Sequence, residues 1–176
     1  ILRELKLKSP RPRTASPTEA QIEAVIAAAD AAGDHAFALG LLIQWRLTLR
    51  AIDVRGDWFA LQDGEDRSGI VRGKRRWGDG LTWDMIDRDI TTLTKTPSKT
   101  EESMPEALVF DLTLVPAVRE RLLQMENRVG PVIVDRHGMP YDRFAWSDLF
   151  RKHRTTAGVP DSVWMMDTRA GAINDA

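Results

Sequence analysis

The chain of 176 residues contains no cysteine, which excludes disulfides and thiolate-bound metals and suits a reducing compartment. Its three histidines, His35, His137 and His153, have no metal-like spacing to one another or to acids, so they read as surface or packing residues and no metal is expected. No apolar run approaches the ~18–20 residues of a membrane span. No serine nucleophile motif is present, and GIVRGK at 69–74 is one residue short of a phosphate loop and lacks its Ser/Thr. The formal net charge of −1 argues against a globally basic nucleic-acid binder, which leaves the distribution of charge as the informative quantity.

That distribution is uneven. Basic residues gather at Arg3, Lys6, Lys8, Arg11 and Arg13, at Arg72, Lys74, Arg75 and Arg76, and at Arg151, Lys152 and Arg154. Each cluster alone reads as a solvated face, while the three together tilt the reading toward a polyanion. Residues 1–15 are basic, proline-containing and without periodicity, so they read as an arm or linker.

The remainder, 16–176, reads as one domain. SPTE at 16–19 predicts a capping box with proline at the first helical position. Ile22, Val25, Ile26 and Ala29 follow on one helical face up to Gly33. A second, strongly apolar helix is expected from about His35 to Leu49, and a short third one after Arg50. The charged, glycine-rich stretch 62–80 predicts a loop or flexible insertion. LTWDMI at 81–86 alternates like a half-buried strand. With ITTLTKT at 90–96 and LVFDL at 108–112 it predicts one small antiparallel sheet. Helices are expected from Pro116 to about Met125 and from Tyr141 to Ala157, with a last one over WMMDTRAGAINDA. The fold class expected is mainly α with a small antiparallel β-sheet.

Three cations sit in unusual settings. Arg50 ends the apolar run AFALGLLIQWRLTL, Lys99 lies in PSKTEES between two expected strands, and Arg169 stands beside small residues (RAGA) that allow another backbone to approach. A guanidinium cannot lose its proton, so burying one requires a strong partner. For Arg50 that partner is either Asp53 or another buried acid, or an anion from outside. Two arginines and a lysine are what a phosphate site uses, because guanidinium forks bind phosphate oxygens in pairs.

Order and spacing extend the argument. LTLRAIDVRGDW resembles the first arginine box of tyrosine recombinases, the phage-integrase family. There a threonine-glycine-leucine-arginine turn is followed three residues on by an acid; here the turn reads TLRAID, with Asp53 in the acid's place. LTWDMID followed by PSKT resembles the element that carries the family's catalytic lysine, which Lys99 matches, with Lys95 as second candidate. MDTRAGA resembles the second box, histidine-x-x-arginine, with Arg169 on its arginine. SPTEAQIEAVIAAAD is similar to the family's opening helix, and GVP before the second box is similar as well.

The resemblance covers about 16–176 and implies a DNA breaking-and-rejoining enzyme that needs neither metal nor nucleotide cofactor. Arg50 and Arg169 would clamp the scissile phosphate, and Lys99 would protonate the 5′-hydroxyl leaving group. A tyrosine would form a 3′-phosphotyrosyl link. Double-stranded DNA is the implied partner, contacted also by Arg13, Arg72, Lys74, Arg75 and Arg76. Self-association on DNA in the full-length protein and a cytoplasmic, DNA-associated location are implied too.

Two departures stand out. Met166 occupies the second-box histidine position, and the family's tyrosine is expected downstream of Arg169. Tyr141, the single tyrosine, precedes that box and reads as a packing residue. The chain is therefore expected to be a partial catalytic domain, inactive as it stands, with residues 1–15 matching the family's interdomain linker. The rivals are a non-catalytic DNA-binding relative, marked by Met166, and a helical interaction domain with no DNA role.

Overall fold

A computed structural model describes residues 16–98 and 106–174. Helix α1 (Glu19–Ala31) starts at a capping box formed by Thr18 and Gln21, two residues beyond the Ser16–Glu19 pair expected from sequence. Pro17 thus precedes the cap instead of opening the helix. Thr18 Oγ1 accepts from Gln21 N–H, and the Gln21 side chain accepts from Thr18 N–H in return, which satisfies two helix-end donors. Its expected apolar face, Ile22, Val25, Ile26 and Ala29, is buried.

Helix α2 (His35–Arg46) is the centre of the core, with every residue from Phe37 to Trp45 buried. It packs against α1, the short α3 (Ala51–Arg55), α4 (Pro116–Leu123) and α6 (Thr168–Asn174). Helix α5 (Arg143–Thr156) lies against α1 and sends Trp146 inward onto Phe37, their ring centroids 4.7 Å apart. Gly40 makes room for that indole: a Cβ there would lie 2.5 Å from the Trp146 ring. Pro116 opens α4 as expected, since the missing N–H costs nothing in a first turn.

The β-structure departs from expectation in two ways. LTWDMI is not a strand: Trp83–Met85 form a 3₁₀ turn flanked by isolated bridges from Thr82 to Pro131 and from Ile86 to Leu93. Of the expected alternating set Leu81, Trp83 and Met85, the first two are buried and Met85 is only half-buried, while Ile86 is buried beside it, because the segment is a turn lying on the core. ITTLTKT and LVFDL do pair antiparallel, as β4 (Thr92–Lys95) and β5 (Leu108–Asp111).

The stretch expected to be a loop instead builds a second sheet. Strands β1 (Asp57–Ala60), β2 (Val71–Arg72) and β3 (Arg75–Gly78) pair antiparallel in the order β1-β3-β2. Arg72 pairs with Arg75 across Gly73 and Lys74, and Gly73 has φ +60. Glycine at the first central position of a two-residue loop is the hairpin signal that the surrounding charge obscured. The sheet leaves and rejoins the fold at adjacent points, Leu81 N–H donating to Val54 O at 3.1 Å. Trp77 closes that root, its Nε1 donating to Arg55 O at 2.9 Å. Side chains at Gly56 or Gly80 would collide with its ring.

Candidate functional site

The segments that carry Arg50 and Arg169 meet at the C-terminal end of α2. Beyond Arg46 the chain turns through Thr48, whose φ is +52, and Arg50 becomes the extended residue that caps α3. A left-handed backbone strains a β-branched residue there. Helix α6 approaches α2 closely at Gly171, where a Cβ would lie 2.5 Å from Pro17 O and 2.8 Å from the Trp45 ring. The small residues of RAGA permit that approach.

A buried polar relay that the sequence did not announce fixes α6 further. Trp146 Nε1 donates to Gln44 Oε1 at 3.0 Å, and Gln44 Nε2 donates to Thr168 Oγ1 at 3.4 Å. The Thr168 hydroxyl in turn donates to Met165 O at 2.8 Å. Gln44 and Thr168 are each 1% exposed and Trp146 is fully buried. Three helices are thereby joined immediately beside Arg169. A glutamine inside an apolar helix was the available signal, since buried amides need partners.

Arg50 does not pair with Asp53. The Asp53 carboxylate is buried and accepts from Ser98 N–H at 2.8 Å and Ser98 Oγ at 2.9 Å. It therefore ties the chain leaving β4 to α3, one residue before Lys99. Lys99 itself lies outside the described residues, as does Arg13. Lys95, the second lysine candidate, is buried and donates to Asp79 O at 2.6 Å. Among the described residues neither Arg50 nor Arg169 makes an ion pair or a side-chain hydrogen bond. The Arg169 Nε is buried without an acceptor. Met166, which the resemblance sets at the second-box histidine, is 71% exposed, and its side chain has no hydrogen-bond donor.

The basic clusters divide. Arg151 pairs with Asp148, Lys152 with Asp34 at 3.0 Å, and Arg154 with Asp161 at 2.5 Å and with the Val163 carbonyl at 2.9 Å. That third cluster is internally neutralised, and Arg154 is a buried brace, not a free cation. On the β2–β3 hairpin Arg72, Lys74 and Arg75 are exposed, whereas Arg76 is half-buried and donates to Asp66 O. Arg72 lies over the Trp58 ring, 4.8 Å from its centroid.

Tyr141 packs edge-on against Trp146 at 5.4 Å. Burial, and then the nearby charges of Asp34 and Asp135, push its phenol up to about 12. The histidines have local roles: His35 meets Asp30 at 3.1 Å, His153 meets Asp34 at 2.7 Å, and His137 accepts from Arg136 at 3.1 Å.

No protein-family model matches the sequence, and no curated protein matches it. Two solved structures do share its fold. Lambda integrase (residues 75–356) bound to DNA superposes with a TM-score of 0.64 at 13% identity, over 93% of this chain and 51% of that one. XerA recombinase superposes with a TM-score of 0.51 at 12% identity, over 94% of this chain and 52% of that one. The chain spans about half the length of the structures it matches. Both neighbours are tyrosine recombinases, and the chain has the fold of the tyrosine-recombinase catalytic domain.

Proposed function

We propose that this domain binds duplex DNA, with Arg50 and Arg169 holding one backbone phosphate, as part of a protein that breaks and rejoins DNA strands. The observation that carries this reading is that, among the described residues, neither arginine on the two segments meeting at the end of α2 pairs with a protein anion, while Asp53, the acid expected to partner Arg50, is engaged by Ser98. Unpaired guanidinium forks beside a buried core fit an anion supplied from outside. The DNA-bound neighbour of the same fold supports that anion being a phosphodiester.

In this reading the arginines stabilise charge on the equatorial oxygens of the phosphoryl transition state. Lys99 follows the anchored Ser98 and donates a proton to the departing 5′-oxygen. Tyr141 is not the nucleophile, because its phenol is packed on Trp146 and resists ionisation. The 176-residue chain then forms no covalent DNA adduct, and exposed Met166 removes a further donor, a loss of on the order of 10²–10³ in rate. A denaturation-resistant adduct on a nicked suicide substrate, lost on Tyr141→Phe, would overturn this assignment. Met166 also supports the second reading, a relative that binds DNA without cleaving it. The two share one test. Duplex affinity measured by anisotropy should fall steeply with salt, by about 10³-fold between 50 and 200 mM if about six phosphates are contacted, and should not require magnesium. No affinity at low salt would remove both readings and leave a helical interaction domain.

A further inference from the structure

Between the β1-β3-β2 sheet and the start of α5 lies an open notch of about 250 Å³, lined among others by Trp58, Arg75, Asp142, Arg143 and Phe144. Arg75 stands opposite both Ala60 and Arg72 in the register, so Trp58, Arg72 and Arg75 share one face of the sheet. That face looks onto α5.

The charges around the notch do not balance. Four guanidiniums, of Arg55, Arg72, Arg75 and Arg143, surround two carboxylates, Asp57 and Asp142, and both acids are already engaged. Asp57 accepts from Trp58 N–H at 2.9 Å and meets Arg55 Nη1 at 3.4 Å. Asp142 caps α5 by accepting from Phe144 N–H and Ala145 N–H, both at 2.9 Å, and its other oxygen lies 3.8 Å from Arg72. Arg75 and Arg143 are exposed and make no ion pair among the described residues. Burial pushes the Arg55 guanidinium down from its ordinary value; Asp57 and Asp142 favour its charge, and Arg143 opposes it. An added anion would relieve that repulsion.

The aromatic lining points to the class of anion. Arg143 lies against the Phe144 ring, 4.6 Å from its centroid, and that ring is 64% exposed. Two guanidinium forks that make no ion pair among the described residues, beside an open aromatic face, suit a sugar–phosphate strand better than a carboxylate, for which a lone fork suffices. Lys74, exposed at the hairpin turn, extends the cationic edge beyond the notch.

We propose that this notch is a second phosphate contact for nucleic acid, with Arg75 and Arg143 holding a backbone phosphate away from Arg50 and Arg169. It rests on the reading of the domain as a DNA binder and adds to it a clamp built from the β1-β3-β2 sheet. The test is duplex binding of the 176-residue protein and of Arg75→Ala, Arg143→Ala and the double variant, measured across a salt series. One phosphate contact contributes roughly eightfold at 0.1 M salt, since log K changes by about −0.9 per decade of salt for each phosphate. The double variant should lose about that factor, and its salt slope should fall by about 1. Arg75→Lys with Arg143→Lys should keep the slope, and Arg151→Ala, which removes an internally paired cation, should change neither quantity. If the parent binds and the double variant matches it in affinity and slope, the notch proposal falls while the DNA reading stands. If the parent fails to bind at low salt, both fall. Competition by inorganic phosphate or polyglutamate at concentrations comparable to the duplex would show a site for free phosphate or acidic chain and overturn the assignment to nucleic acid.

Discussion

Thr48 has a φ of +52 in the turn that leads from α2 to Arg50. The left-handed region costs an L-residue roughly 1–2 kcal/mol, with β-branched side chains at the unfavourable end. Thr48→Gly removes that cost and adds about 0.5–1 kcal/mol of extra chain entropy in the unfolded state. Thr48→Ala keeps a Cβ and therefore most of the strain. The glycine variant should exceed the alanine variant in stability by about 1 kcal/mol, which is the reverse of the order at an ordinary helical position. For a chain of this length that difference corresponds to roughly 2–4 °C in Tm. Urea unfolding followed by far-UV circular dichroism, with a common m-value, measures it. An alanine variant equal to or more stable than the glycine variant would refute the left-handed turn.

Gln44→Leu should destabilise by about 1–3 kcal/mol, because the fully buried Trp146 indole N–H loses its acceptor. Thr168→Val should cost less, since its bond from Gln44 is long at 3.4 Å and its own donation to Met165 is local; equal costs in urea unfolding would contradict the geometry. The single phenol should titrate near pH 12 by absorbance at 295 nm. Because its folded value lies above the ordinary 10.0, the stability it supports is complete below pH 10 and declines as pH rises toward 12; a midpoint near 10 would mean Tyr141 is not packed as described. The hydrogen bonds of Lys152 and His153 hold Asp34 below the ordinary carboxylate value of 3.8, against the opposing effect of burial. Its contribution is therefore present above that value and lost as pH falls through the lower folded one. Asp34→Asn should flatten that part of the acid-unfolding curve, and an unchanged curve would count against the cluster.

Helices were legible wherever burial is one-sided and the ends carry cap chemistry, as with α1 and with Pro116 at the start of α4. The apolar length of α2 was legible for a different reason: the helix is buried on all sides from Phe37 to Trp45 and so reads as one continuous apolar run. The β1-β3-β2 sheet was not, because its pairing is specified by Gly73 and by the two tryptophans at its root. The charged residues on both sides of that turn erase any alternation of polarity. LTWDMI misled in the opposite sense, since a 3₁₀ turn lying on the core buries Trp83 and Leu81 with a strand-like spacing. At the site, chemistry drew attention to Arg50 and Arg169 through their unusual neighbours, but Asp53 could not be assigned without seeing Ser98 reach it from across the fold. Charge clustering alone also failed to separate Arg75, which makes no ion pair among the described residues, from Arg154, which braces Asp161 and Val163.

The central claim is that Arg50 and Arg169 act on the same phosphate. A crystal structure of the domain with a short duplex tests it most directly. One backbone phosphate should have oxygens within hydrogen-bonding distance, about 2.7–3.2 Å, of both guanidinium groups. A complex in which the two arginines contact different phosphates, or in which either turns to a protein carboxylate, would contradict the account.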